Sequence, residues 1–177
     1  MRRNLGLTVL GLIALPLLLA AQQRKSEVDW QPLLWLVGDW TGTGAGDPGH
    51  GSGGFSFNQD LQGHVLIRKS FSEYPATAGK PAYRHDDLMI IYPAGKDFRA
   101  EYFDNEGHVI RYAIAISKDA STVTFLSDKA APGPRFRITY HENSANSLTG
   151  TFEIAPRDKP NGFTKYLEWT AEKQVTK

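Results

Sequence analysis

Residues 33–46 read LLWLVGDWTGTGAG. The apolar cluster Leu33, Leu34, Leu36 and Val37 stops at Gly38, and Trp40 opens a segment that alternates threonine with glycine. Upstream, Asp29 is placed to cap a helix and Pro32 fits its first turn, so a helix of about two turns is expected before Gly38 ends it. The segment that follows cannot hold itself together, because glycine loses the most conformational freedom on ordering and offers no side chain to pack. Trp40 supplies the large ring that such a strand needs to bury. Gly42 and Gly44 share its face at period two, so backbone or ligand can approach closely there. The reading is a first β-strand anchored by the burial of Trp40.

Working outward, a turn signal recurs about every ten residues, which favours many short antiparallel strands over alternating helices. Strands are expected near 39–46, 53–60, 64–74, 86–93, 97–104, 108–117, 121–127, 134–142, 147–155 and 163–173. The turns DNEG (104–107), SKDAS (117–121), ENSANS (142–147) and RDKPNG (157–162) use residues that form local side-chain turns or tolerate positive φ. DPGHGSGG (47–54) and EYPATAGKPAYRHD (73–86) are expected as long rim loops. Phe136, Ile138 and Tyr140 alternate with Arg135, Arg137, Thr139 and His141, the pattern of a sheet with one packed face. Ten such strands would leave two long edges, and closure removes them. The fold class is therefore an all-β, ten-stranded antiparallel barrel behind a short N-terminal helix, wide enough to enclose a cavity.

The first 21 residues, basic then apolar then small, read as a signal peptide, leaving 22–177 as one barrel domain. The apolar run from Leu5 to Leu19 is shorter than the roughly 20 residues of a membrane span. Its removal takes away Arg2 and Arg3 and turns the formal charge of +1 to about −1. No basic field remains for nucleic acid, and no stable membrane insertion is expected after cleavage. The 177-residue chain has no cysteine, which excludes disulfides, thiolate metal sites and a cysteine nucleophile. The expected location is periplasmic or secreted.

The Gly-x-Trp of LVGDWTGTG behind a short helix resembles the signature of the calycin superfamily, the lipocalins, fatty-acid-binding proteins and their relatives. In that superfamily the tryptophan packs across the closed end of the barrel. Ten strands point within it to the fatty-acid-binding and nitrobindin branch. GSGGFSFNQDLQGHVLIRKSFSEYPA (51–76), HDDLMIIY (85–92), YFDNEGHVIRY (102–112) and YLEWTA (166–171) are similar to a group of uncharacterised secreted or periplasmic bacterial lipocalin-like proteins. Lipocalins place an arginine of the last strand over the tryptophan, whereas this last strand offers only Lys165 and Lys173. Nitrobindins hold haem through a histidine near the chain end. GFTKYLEWTAEKQ (162–174) has none, so no cofactor is expected.

The densest cluster of possible ligands is His85, Asp86 and Asp87 with Glu101 and Asp104. Side chains alternate along a strand, so Asp86 and Asp87 cannot both point inward; Asp87 shares a face with Met89 and Ile91 and is the inward acid. No Gly-x-Ser-x-Gly elbow and no phosphate loop is present. The expected walls of the cavity are Trp40, Met89, Tyr102, Tyr112 and Trp169, with Arg68, His85 and Asp87 orienting a ligand. The resemblance adds Arg111 and Arg137 as possible carboxylate holders. The function expected is binding of a small hydrophobic or amphipathic molecule. The alternatives are an isomerase, cyclase or hydrolase using His85 and a carboxylate, or nitrobindin-like haem binding.

Overall fold

A computed structural model describes residues 29–129 and 133–174; the expected leader, 1–21, lies outside the described residues. Ten strands form one closed barrel: β1 (Gly38–Gly46), β2 (Gly49–Asp60), β3 (Val65–Tyr74), β4 (Tyr83–Ala94), β5 (Asp97–Asp104), β6 (Val109–Ile116), β7 (Thr122–Ser127), β8 (Arg135–Ser144), β9 (Ser147–Ala155) and β10 (Thr164–Lys173). Each pairs antiparallel with its chain neighbours, and β10 closes on β1.

The two expected rim loops are shorter than the composition suggests. Gly42, Gly44 and Gly46 stand opposite Gly53, Gly51 and Gly49, so most of the glycine-rich run is ladder and only Asp47-Pro48 turns. Pairing with a neighbour supplies the order these glycines lack by themselves. Likewise β4 begins at Tyr83, three residues early, and the remaining loop is drawn in by reciprocal backbone hydrogen bonds between Thr77 and Lys80.

The expected helix is a 3-10 helix, Gln31–Leu36. The Asp29 carboxylate accepts the Gln31 N–H at 3.0 Å, although Trp30 holds the cap position. Three residues per turn put Leu33 and Leu36 on one side, and both are fully buried. The Trp30 indole N–H donates to the Gly63 carbonyl at 2.7 Å, and its ring lies 4.9 Å from that of Phe98. These contacts seat the helix across the barrel end where β2 turns into β3.

Trp40 completes that plug. Its indole N–H donates to the Leu36 carbonyl at 2.8 Å, and its ring stacks on Phe55 with centroids 6.0 Å apart. The Lys173 ammonium stands 4.9 Å from the centre of the Trp40 ring and donates to the Trp35 carbonyl at 3.1 Å. A cation of the last strand, Lys173, therefore lies over the tryptophan. Above the plug, Phe57, Leu66, Met89, Ile91, Phe125 and Leu148 fill one half of the barrel. At Gly42 a Cβ would overlap the Thr170 carbonyl oxygen, so the β1–β10 seam accepts glycine alone there.

Truncating the plug should cost what a large aromatic core deletion costs. Trp40→Ala is expected to lower unfolding stability by about 3–5 kcal/mol, read from denaturant midpoints. A loss under about 1 kcal/mol would place the closing energy elsewhere.

Candidate functional site

The interior is packed toward one end and hollow toward the other. The hollow is a cavity of about 850 Å³ that opens between the β1–β2 turn, the β3–β4 loop and the β5–β6 turn. Strand parity decides its lining. On β4, His85, Asp87, Met89 and Ile91 face inward while Arg84 and Asp86 pair with each other on the outside. The first two reach the cavity, and the last two lie in the packed half.

Of the eight residues expected at the site, Arg68, His85, Asp87, Tyr102, Tyr112 and Trp169 line the cavity. Trp40 and Met89 do not: both are buried in the packed half, further toward the plugged end of the same inward faces. Period two identifies the inward face but not the depth at which packing ends. Arg111 and Arg137 also lie elsewhere, since they bind Glu101 at 3.2 Å and Glu153 at 2.6 Å on the outer face. Phe163 draws Arg137 outward further, its ring centre 4.3 Å from the guanidinium. With Glu101 turned outward the candidate set of His85, Asp86, Asp87, Glu101 and Asp104 disperses, and among the described residues no three His, Asp or Glu side chains are grouped to hold a metal ion.

An ion pair stands at the base of the cavity. Arg68 Nη1 donates to Asp87 Oδ1, and the two side chains are only 8% and 6% exposed. Burial favours a neutral Arg68, but the Asp87 carboxylate together with the neighbouring Tyr140, Tyr102 and Tyr112 outweighs it and holds the guanidinium pKa above its ordinary value. Tyr112 and Tyr140 surround the pair; burial pushes the Tyr140 hydroxyl up to about 12 and raises that of Tyr112. The Tyr140 hydroxyl and Arg68 Nε are buried without hydrogen-bond partners.

Toward the mouth a second polar chain begins. His85 Nε2 lies 2.9 Å from the Tyr102 hydroxyl, and its Nδ1 lies 2.9 Å from Glu106 Oε1. Tyr83 also donates to Glu106, and these two partners, Tyr83 first, hold the Glu106 carboxyl below its usual range. Nearby, burial raises the Asp104 pKa, but the backbone N–H and ring of His108 outweigh it and bring it below normal. Trp169 forms the opposite wall. Its indole lies flat on Gly150, where any Cβ would overlap the ring, and meets Tyr140 edge-on at 5.7 Å.

Sequence reasoning missed Tyr140, Tyr83 and Glu106. Tyr140 was legible, because it alternates with Phe136 and Ile138. Glu106 was not, since it sits in a polar turn and reaches His85 only when the β4–β5 hairpin brings residues 21 apart together.

The fold and site define a closed ten-stranded antiparallel barrel, plugged at one end and hollow at the other. The structure is similar to the crystal structure of Rv2717c from M. tuberculosis, with a TM-score of 0.58 at 12% identity, covering 82% of this chain and 97% of that one. A de novo designed fluorescence-activating β-barrel aligns with a TM-score of 0.42 at 12% identity over 84% of this chain and all of the design. No protein-family model and no curated protein matches the sequence. β10 gives the cavity Tyr166, Leu167 and Trp169, and the histidines in its lining are His50, His85 and His108.

Two measurements check this electrostatic picture. Arg68→Met leaves a buried carboxylate alone and should cost about 3–5 kcal/mol, most of which Asp87→Leu in the same chain should restore. Equal destabilisation by the single and double variants would contradict a coupled pair. Asp104, with its folded pKa depressed, contributes stability that is complete above the ordinary Asp value of about 3.9 and is lost as pH falls through the lowered one. Asp104→Asn should therefore flatten the acid limb of stability against pH.

Proposed function

We propose that this protein is an exported calycin-type barrel that binds a small, mostly apolar molecule with one polar head. The observation that carries the reading is the Arg68–Asp87 ion pair at the base of an otherwise largely apolar hollow. Burying a charge pair costs desolvation that an apolar filling would avoid, whereas a few fixed polar groups in an apolar cavity are what orient a small ligand. Trp169, Ile110, Ile138 and Phe152 offer the apolar walls, and Arg68, held through Nη1 by Asp87, offers the fixed polar group. The likeness in fold to Rv2717c supports the architecture alone. The basic, apolar and small-residue order of residues 1–21 supports export to the periplasm or beyond.

The test is a titration with 1-anilinonaphthalene-8-sulfonate followed by its emission. One saturable site is expected, and Ile110→Trp, which fills the cavity, should weaken it at least about tenfold, or about 1.4 kcal/mol, with thermal unfolding little changed. Undiminished probe binding by the filled variant would place the site outside the barrel.

A further inference from the structure

The chain Glu106, His85, Tyr102 runs from the mouth into the cavity, and its proton positions follow from the donor and acceptor types. Glu106 is 46% exposed and ionised in the neutral range, so at 2.9 Å it fixes the proton of neutral His85 on Nδ1. His85 Nε2 is then an acceptor, and the hydrogen bond at 2.9 Å runs from the Tyr102 hydroxyl to the imidazole. The tyrosine oxygen keeps its lone pairs for whatever occupies the cavity that Tyr102 lines. A carboxylate, an imidazole and a hydroxyl in this order form a proton relay aimed at bound ligand.

We propose that this relay is a general base that binds ligands with an acidic hydroxyl, phenols or enols, in their deprotonated form. The ligand O–H proton passes to the Tyr102 oxygen as the Tyr102 proton passes to His85 Nε2. No other bond is made or broken, and the products are a ligand oxyanion and an imidazolium. The charges then have partners: the imidazolium lies against Glu106 at 2.9 Å and Asp87 at 3.8 Å, and the oxyanion is left to the Arg68 guanidinium. The titratable groups around the relay are Arg68 from β3, Tyr83 and Asp87 from β4, Asp104 and Glu106 at the β5–β6 turn, and Tyr112 from β6. His108 is held by Asp104 at 2.9 Å, away from the relay. Burial and the Asp87 carboxylate raise the Tyr102 pKa, so a free tyrosinate is disfavoured and Tyr102 passes a proton on without storing the charge. His85 and Glu106 act through Tyr102; Tyr102 is the residue that touches ligand.

This inference rests on the cavity being a binding site, and the experiment separates the two. The probe is 4-nitrophenol, whose phenolate absorbs apart from its neutral form, titrated with pH free and bound to the whole protein. The bound probe is expected to ionise with a pKa lowered by at least one unit. In Tyr102→Phe and His85→Gln, read at probe concentrations that saturate each variant, the pKa of the bound probe should return to its value in water, and Glu106→Gln should recover part of the way. Circular dichroism checks that each variant is folded. An unshifted pKa in the wild type, or a shift that survives Tyr102→Phe, overturns the relay. Failure of 4-nitrophenol to bind while 1-anilinonaphthalene-8-sulfonate does bind overturns the relay and leaves the binding cavity standing; failure of both probes overturns both.

Discussion

The barrel depends on the closure of β10 against β1, a strand that brings almost no side chains of its own. β1 has one large inward residue, Trp40, and beyond it Gly42, Gly44 and Gly46 run along the seam. A strand of that composition has no stability alone. It is held because β2 and β10 supply backbone partners on both edges and because Trp40 is clamped from three directions, by the Leu36 carbonyl, the Phe55 ring and the Lys173 ammonium. The seam is tight enough that β10 backbone occupies the space of a side chain at Gly42. Closure and plug are one device, since Lys173 both ends β10 and covers the tryptophan that starts β1.

From that device follows the division of the interior. The 3-10 helix, Trp40 and the large apolar residues beside them fill the plugged half, so hydrophobic burial there stabilises the whole barrel. That surplus allows the other half to stay hollow and polar groups to be buried in it. Arg68 and Asp87 mark the border. Each is nearly inaccessible to solvent, and each would be intolerable there without the other. Toward the mouth the groups become more exposed, from Tyr102 through His85 to Glu106, so the polar path runs from the buried pair to water.

How much of this the sequence carries depends on whether the signal is local. Trp40 followed by threonine and glycine, turn residues at steady intervals and period-two alternation are all local, and they suffice for ten strands and their inward faces. Parity with Met89 and Ile91 alone places Asp87 inward. The glycine run at 49–54 misled, because composition reads glycine as loop when its partners across the hairpin are what make it a strand. The site was legible by face and not by depth. Six of the eight residues expected there line the cavity, while Trp40 and Met89 sit on the right faces but below its floor. Pairings such as His85 with Glu106, or Arg137 with Glu153, depend on strand register and leave no mark on either segment alone.

The role proposed for the hollow half is to hold a small molecule. Native mass spectrometry of the protein purified from the cells that produce it, followed by a denaturing run of the same sample, tests this most directly. The expected result is a mass excess of one small, mostly apolar molecule per chain that is released on denaturation and absent from Ile110→Trp. A native mass equal to the bare chain, or an excess that the filled variant retains, would contradict it.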